Sequence, residues 1–408
     1  MSGVAKNTPK LRFPEFIGEW RAKKLGGEAT FSKGKGISKS DVDPLGTTPC
    51  IRYGELYTDY DTVIDEPISK TSVSPNSLKL SKGGEVIVPA SGEDAKDIAT
   101  AAVVLRAGVA LGGDLNVIQS EHDGAFLAPY LSGKKRLPLA SMAQGNSVVH
   151  LYPDQLAALD LHFPKAPEQQ KIAAFLGAVD TKIGQLTRKK VLLEDYKKGC
   201  MQQLFTQKLR FKDDQGNDFP DWKERPLHSF LTETKNKSEG TEPVFSVSVH
   251  KGLVDQVEHL GRSFSAADTD HYNRVEPGDI VYTKSPTGDF PYGIVKQSRI
   301  DKNVIVSPLY GVFRPETPWL GYWLHVYFES HVNTGNYLKP IIQKGAKNTI
   351  NITNTTFLSA SLKVPVDLDE QEKIADFLSA IDAKISLAAD ELSAAQDFKK
   401  GLLQQMFV

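Results

Sequence analysis

Cysteine is scarce in this 408-residue sequence, and long apolar runs are missing from it. Cys50 and Cys200 are too few for a disulfide framework or for a cysteine-based zinc site. No apolar run approaches the roughly 18–20 residues that span a bilayer, and the opening segment MSGVAKNTPKLRF lacks the apolar stretch of a secretory signal. We therefore expect a globular protein of the cytoplasm, large enough for two or three domains.

An excess of positive charge is also lacking, since 49 lysines and arginines face 50 aspartates and glutamates. This balance argues against a protein that coats nucleic acid by charge alone, but not against local basic surfaces. The sequence has no phosphate-binding loop, no His-Glu-x-x-His, no Cys-x-x-Cys pair and no Gly-x-Ser-x-Gly nucleophile elbow. The Asn/Asp-Pro-Pro-Tyr/Phe motif of amino-methyltransferases is missing as well. We therefore predict no active site, no metal site and no cofactor in this chain.

The sequence does contain a long internal repeat. EQQKIAAFLGAVDTKIGQL, from Glu168, returns from Glu370 as EQEKIADFLSAIDAKISLA, at an offset of about 202 residues. At the same offset DYKKGCMQQLF returns as DFKKGLLQQMF, and LRFPEFIGEW matches LRFKDDQGNDFPDW. The chain is therefore two copies of one unit of about 200 residues.

The segments between these repeats have diverged. Residues 27–155 and 229–356 keep only a faint common skeleton, such as GGEVIV (83–88) against PGDIVY (277–282). Shared connecting segments with divergent inserts suggest a scaffold that positions two recognition modules with different targets. The alternative interpretation is drift in an old duplication whose helices are constrained by packing.

The repeated segments predict two long helices. No proline interrupts residues 168–205, and apolar residues recur at heptad spacing in both copies. Asp369, three residues before Glu372, indicates a capping box at the start of the second helix. The two apolar stripes supply each other's partner, which predicts a coiled coil of roughly 30–38 residues per helix, about 45–57 Å long. Antiparallel pairing is favoured, because a parallel pair would place both modules at one end, where they would collide. The predicted seam comprises Ile172, Leu176, Val179, Ile183, Leu186, Leu193, Ile374, Leu378, Ile381, Ile385 and Leu392.

The inserts carry short β-branched or aromatic runs between Gly, Pro, Asn and Asp residues, which favours short strands and loops. The best strand candidates are residues 85–89, 100–105, 244–249, 279–283 and 303–306, and the best helix candidates are 151–159 and 319–331. The predicted fold class is α/β (α+β), with two modules of twisted, irregular β-sheet, the coiled coil between them and internal pseudo-two-fold symmetry. The predicted domains are a first module (1–155), a central spacer helix (156–215), a second module (216–356) and a C-terminal spacer helix (357–408).

Several loops of the inserts combine cations with amides or aromatic rings, the groups that contact phosphates and base edges. QKGAKNTIN (343–351) lies just ahead of the second long helix, and QGNS (144–147) mirrors it in the first half. The alternative for each of these side chains is simple exposure to solvent. The nucleic-acid-binding candidates are Lys33, Lys35, Arg52, Tyr53, Tyr57, Lys134, Lys135, Arg136, Gln144 and Asn146 in the first half, and Lys251, Lys284, Tyr292, Gln343, Lys344, Lys347, Asn348 and Asn351 in the second.

The repeated segments resemble the DNA-specificity subunits of type I restriction-modification systems. The resemblance covers nearly the whole chain and includes the LRFPEF opening, the EQQKIAAFLGAVDTKI and EQEKIADFLSAIDAKI segments and the duplication itself. ISKSDVDPLGTTPCIRYGELYTDYDTV (37–63) is similar to the start of a target-recognition domain in that family.

The resemblance implies a non-catalytic subunit with two target-recognition domains, each reading one half of a split, asymmetric DNA sequence. It implies three kinds of partner, namely double-stranded DNA, two methyltransferase subunits and two motor-nuclease restriction subunits, and no membrane. S-adenosylmethionine, ATP and Mg²⁺ would belong to those partner subunits. A duplicated coiled-coil adaptor whose inserts bind protein is the main alternative. A self-sufficient nuclease or methyltransferase is disfavoured by the missing motifs.

Overall fold

The computed structural model describes residues 7–145, 148–260, 269–285, 287–344 and 350–408, with the backbone alone at 259–260, 343–344 and 350–351. The chain divides into two compact units, unit 1 (Met1–Lys189 and Ala388–Val408) and unit 2 (Lys190–Leu387). Each unit contains parts of both long helices. We call the rest of unit 1 module 1, and the rest of unit 2 module 2. The four predicted sequence domains stay a prediction.

Short helices lie in the modules, and of the two long helices one lies between the modules along the chain while the other follows module 2. In the described ranges the helices are α1 Glu55–Thr58, α2 Ala95–Ile98, α3 Gly124–Ser132, α4 Arg136–Met142, α5 Pro153–Ala157, α6 Ala166–Phe205, α7 Gln256–Leu260, α8 Pro318–Tyr327, α9 His331–Leu338, α10 Asn354–Ser359 and α11 Leu368–Gln405. None of these helices combines the length and the apolar character that crossing a bilayer requires.

Module 1 is built on a five-stranded sheet in the order β2-β10-β6-β8-β4. Smaller sheets, β5-β3-β9, β1-β12 and β7-β11, complete it. All of β6, whose Glu85 precedes the apolar run VIVP, is buried because the strand lies inside the sheet between β10 and β8. The strands are β1 Arg21–Lys24, β2 Ala29–Lys33, β3 Thr48–Ile51, β4 Val63–Ile64, β5 Ser69–Thr71, β6 Glu85–Pro89, β7 Ser91–Gly92, β8 Ala102–Val104, β9 Ala110–Leu111, β10 Leu115–Ser120, β11 Val149–His150 and β12 Asp160–Phe163.

Module 2 repeats the central part of this sheet. Its four-stranded sheet has the order β14-β21-β18-β19, which corresponds along the chain to β2-β10-β6-β8 of module 1. The two modules therefore share one topology, although the sequence showed only a faint similarity between β6 and β18. The strands are β13 Lys223–Pro226, β14 Leu231–Glu233, β15 Phe245–Ser248, β16 Gly252–Asp255, β17 Asn273–Val275, β18 Ile280–Thr283, β19 Ile294–Gln297, β20 Val304–Val306, β21 Gly311–Pro315, β22 Gln343–Lys344, β23 Ile350–Asn351 and β24 Ser361–Val364.

The predicted elements of the inserts are present in the structure. The strand candidates became β6, β8, β15, β18 and β20, and the helix candidates became α5 and α8. The mixed α/β fold class is confirmed. The predicted cap of the second long helix is wrong, because α11 begins at Leu368 and the Asp367 carboxylate accepts the backbone N–H groups of Asp369 and Glu370. The N-cap is therefore Asp367.

Helices α6 and α11 run antiparallel, as predicted. In unit 1, Ile172 near the start of α6 shares a core with Leu402 near the end of α11. In unit 2, Leu204 near the end of α6 shares a core with Ile374 near the start of α11. The predicted seam is buried at Ile172, Leu176, Leu186, Ile374, Leu378 and Ile381, and partly buried at Val179, Ile183, Leu193, Ile385 and Leu392.

The repeated LRF and EQ motifs bind each other in both units. In unit 1, Arg12 donates two hydrogen bonds to the carboxylate of Glu168 at the start of α6, at 2.7 and 2.8 Å. In unit 2, Arg210 contacts the carboxylate of Glu370 in the same way at 3.0–3.2 Å. Both glutamates are buried, so each arginine neutralises a charge that would otherwise be costly. The repeated motifs therefore close each module onto the start of a long helix.

Candidate nucleic-acid interface

The connection between β6 and β8 meets the segment after α4 on the surface of module 1. Strand β7 pairs with β11, with Ser91 opposite His150. On the other side of His150, its backbone exchanges two hydrogen bonds with Gln144, at 2.8 and 3.0 Å. Strand β7 and two neighbouring segments near residue 150 thus form one small β structure, whose Gln144 side chain is exposed to solvent.

Tyr57 lies against Ser91 of this structure, and Tyr53 lies beside Tyr57. The hydroxyl of Tyr57 donates to the carbonyl of Ser91 at 2.8 Å, and the ring of Tyr53 meets that of Tyr57 edge to face at 6.2 Å. Burial, together with Tyr53, Asp97 and Asp114, raises the pKa of Tyr57 well above that of an ordinary phenol. Tyr57 therefore stays a hydrogen-bond donor and acts as an anchor, whereas Tyr53 is 38% exposed.

Tyr152 lies beside His150, and Lys33 lies beside Tyr152. The Tyr152 ring stacks on His150 at 6.0 Å, and the Lys33 ammonium lies 5.8 Å from the centre of that ring. Tyr152 is 45% exposed. We call Lys33, Tyr53, Tyr57, Ser91, Gln144, His150 and Tyr152 the β7–β11 surface. Its exposed rings can contact apolar base edges, its amide can form hydrogen bonds with a base, and its lysine can contact phosphate.

The Gly34-Lys35-Gly36 turn is packed against the chain. The backbone N–H groups of Gly34 and Lys35 donate to the carbonyls of Leu115 and Leu111 at 2.9 and 2.8 Å. A Cβ on Gly34 would lie 1.9 Å from the carbonyl oxygen of Gly112, so only glycine allows this approach. These two N–H groups are therefore committed within the protein, while the Lys35 side chain is exposed.

The other predicted residues of module 1 have partners elsewhere in unit 1. Arg52 is paired with the buried carboxylate of Glu55 at 2.9 Å. Lys134 donates to the carbonyl of Gln404 in the last turn of α11, and Arg136 donates to the carbonyl of Lys96. Burial lowers the pKa of Lys135, whose ammonium lies 5.5 Å from the centre of the Tyr130 ring. Asn146 lies outside the described residues.

Module 2 has a pair of strands at the corresponding place. Gln343 pairs with Asn351, and Lys344 with Ile350, just before α10, as Gln144 pairs with His150 just before α5. The candidates Lys347 and Asn348 fall outside the described residues. The mirrored position that the sequence indicated is thus a short β structure in both modules.

The remaining candidates of module 2 lie at two hairpins. Lys284 and Tyr292 flank the turn between β18 and β19, and the Tyr292 carbonyl accepts the hydroxyl of Tyr282 at 2.8 Å. Burial lowers the pKa of Lys284, an effect that Glu233 opposes. Lys251 is exposed at the turn between β15 and β16. The DNA-binding roles of all these side chains stay predictions.

Sequence reasoning missed Ser91, His150 and Tyr152. The pairing of β7 with β11, which brings Ser91 beside His150, joins residues almost sixty positions apart. The sequence carries no local signal for this pairing.

Two modules that share a strand order, each packed on an antiparallel pair of long-helix segments, define a duplicated scaffold. The family model of the type I restriction modification DNA specificity domain matches residues 17–194 and 229–395, once in each half. The chain belongs to this family of type I restriction-modification specificity subunits.

Individual relatives agree with this assignment. The chain is 24% identical over 285 residues to the type I restriction enzyme MjaVIII specificity subunit of Methanocaldococcus jannaschii. That match covers 65% of this chain and 65% of the relative, so the chain spans just under two thirds of that protein. In fold, the chain is similar to the S subunit of a type I restriction-modification system from M. genitalium, with a TM-score of 0.64, 14% identity and coverage of 98% and 99%. A chain from a type I R-M complex gives a TM-score of 0.50, 17% identity and coverage of 95% and 97%.

Proposed function

We propose that this chain reads a split, asymmetric DNA sequence, with one half-site contacted by each module and the long helices setting the separation of the half-sites. The observation that carries the proposal is that the two modules share the order of four strands but have different residue types at their mirrored β structures. Gln144 and His150 stand in module 1 where Gln343, Lys344 and Asn351 stand in module 2. A common scaffold with unlike readers is what an asymmetric, two-part target requires.

Within module 1 the β7–β11 surface is the proposed reader. Its Gln144 amide contacts a base edge in the major groove, its Lys33 ammonium contacts a phosphate, and Tyr53 and Tyr152 pack against apolar base atoms. In module 2 the residues around β22 and β23, with Lys284 and Lys251, take the corresponding role.

Catalysis belongs to partners in this proposal. Two methyltransferase subunits with S-adenosylmethionine bind the chain and modify the DNA, and two motor-nuclease subunits with ATP and Mg²⁺ complete a restriction complex in the cytoplasm. The lack of catalytic motifs in the sequence supports this division of labour. The near-neutral net charge of −1 supports it too, because the partners can then supply much of the positive surface around the duplex.

Methylome sequencing of a host with and without this chain tests the proposal. We expect a methylated motif of two specified parts, separated by unspecified base pairs, that disappears with the chain. Replacing residues 14–155 by those of another family member is expected to change only one part of that motif. A continuous motif, or a change in both parts, would contradict independent reading by the two modules.

A further inference from the structure

Two lysines, Lys197 (buried) and Lys399 (partly buried), connect the long helices to the modules. In unit 1, Lys399 of α11 contacts Asp180 of α6 at 2.7 Å. In unit 2, Lys197 of α6 contacts Asp382 of α11 at the same distance. Lys197 and Lys399 occupy equivalent positions in the repeat, as do Asp180 and Asp382, so the duplication alone accounts for both contacts.

Each lysine also contacts a carboxylate of its module. Lys399 contacts Asp61, in the loop after α1, at 2.5 Å, and Lys197 contacts Glu329, just after α8, at 2.7 Å. Asp61 and Glu329 lie in different parts of their modules, so these contacts are not a product of the duplication. Carboxylates at non-equivalent positions of the two modules thus contact the equivalent lysine of a long helix.

The low exposure of both lysine side chains restricts the geometry of these contacts. Their side chains are 11% and 12% exposed, so each ammonium group must keep its carboxylates in place. Burial alone would lower the pKa values of both lysines, but the carboxylates reverse this and raise them. An ion pair held in this way opposes sliding or rotation of the module on the helices. Apolar packing alone opposes such movement less, because it is not directional.

Unit 2 extends the contact into a network. Lys296 lies 3.7 Å from Glu329, and Arg299 lies 3.4 Å from Asp382, which also accepts the hydroxyl of Tyr322 at 2.6 Å. Module 2 is thus tied to both carboxylates around Lys197, whereas Asp61 of module 1 is 61% exposed.

We propose that Lys197 and Lys399 are positioning residues, each fixing the orientation of its own module on the long helices and thereby the angle at which that module meets its half-site. The inference rests on the proposed function. The helices would then have two roles. Their length sets the separation of the half-sites, and their lysines set the rotation of one half-site relative to the other about the DNA axis.

The test uses the full chain in its purified methyltransferase complex and measures methylation of duplexes with the natural spacer and with spacers one base pair shorter or longer. We expect the wild-type complex to prefer its natural spacer by roughly 10-fold or more, because a wrongly phased half-site loses base contacts. Lys399→Met and Lys197→Met are expected to reduce the preference to about 3-fold or less, and Lys399→Arg and Lys197→Arg to restore most of it.

Lys189→Met is the matched control, because Lys189 pairs with Glu391 of the opposite helix at 3.2 Å and both side chains are about half exposed. It should leave the spacer preference unchanged. If a methionine variant fails to fold, Asp61→Asn and Glu329→Gln remove only the module carboxylate and should flatten the preference in the same way.

An unchanged spacer preference in the folded methionine variants, or in both carboxylate variants, would overturn the inference while leaving the proposed function intact. A wild-type complex with no two-part target, or with no spacer preference, would overturn the proposed function and the inference with it.

Discussion

Lys189 of α6 and Glu391 of α11 form an ion pair of 3.2 Å, although the two residues occupy the same position in the two copies of the repeat. In an antiparallel pair of duplicated helices, equivalent positions meet only at the centre of the pair. Away from the centre, a contact joins unlike positions and can recur in the other unit, as that of Asp180 with Lys399 does in Asp382 with Lys197. Lys189 therefore marks the point at which the helix pair can be lengthened with least disturbance to either end.

Lengthening both helices at this point should change the DNA target. Four residues inserted after Lys189 and four after Glu391 add roughly 6 Å, which corresponds to one or two base pairs at about 3.4 Å each. We expect methylome sequencing to show two unaltered half-sites and a longer unspecified spacer. Inserting the residues in α6 alone is the control, since it shifts the two seams out of register and should lower stability. An unchanged spacer in the double insertion would show that the helices do not set the separation.

The heptad seam and the antiparallel pairing could be predicted from the sequence because both follow from local periodicity and from the repeat. The buried roles of Lys197 and Lys399 could not. Each stands in a Lys-Lys pair, and which lysine is buried depends on Asp61 and Glu329, which are more than 130 residues away along the chain. For the same reason the β7–β11 surface could not be predicted, because its residues come together through the pairing of strands that are distant in sequence.

Replacing Arg12 should destabilise unit 1 strongly. Arg12→Met leaves the carboxylate of Glu168, whose side chain is 3% exposed, without its cation, and the Trp20 indole N–H at 3.1 Å remains. Breaking a buried pair of this kind costs about 3–5 kcal/mol. Urea unfolding measures the loss, and Lys189→Met, in an exposed pair, should change the free energy of unfolding by less than about 1 kcal/mol. A loss for Arg12→Met no larger than that of the control would show that Glu168 does not depend on the arginine.

Two substitutions on the β7–β11 surface should separate phosphate contact from base contact. Lys33→Ala is expected to weaken binding to all duplexes and to make the dependence of log K on log salt shallower by about 1. Gln144→Ala should instead cost about 1–3 kcal/mol on the cognate duplex and relax one base position, with the salt dependence unchanged. Lys182→Ala, at an exposed position of α6, is the control. If Lys33→Ala leaves the salt dependence as steep as in the wild type, Lys33 does not contact phosphate and is simply exposed to solvent.

Acidification should weaken unit 2 through His325. Burial lowers the pKa of this imidazole, Glu329 opposes the shift, and the Nδ1 atom accepts the backbone N–H of Gln297 at 3.2 Å. In the unfolded chain the same histidine takes up a proton as the pH falls below about 6.5, whereas the folded unit keeps it neutral. The unfolded state thus binds more protons, and the stability that is fully present above that pH is lost as the pH falls, by at most about 1.4 kcal/mol per pH unit.

His325→Gln removes this titration, so its free energy of unfolding should fall less steeply than that of the wild type between pH 6.5 and about 5. Burial would raise the pKa of Glu329, but His325, Lys197 and Lys296 hold that pKa well below the ordinary value. Glu329 therefore loses its stabilising charge only at lower pH. Part of the slope should remain in the variant, because burial also lowers the pKa of His162 in unit 1. Urea unfolding at several pH values measures both slopes. Equal slopes for the variant and the wild type would mean that the folded unit accommodates the protonated imidazole, with Glu329 as its counterion.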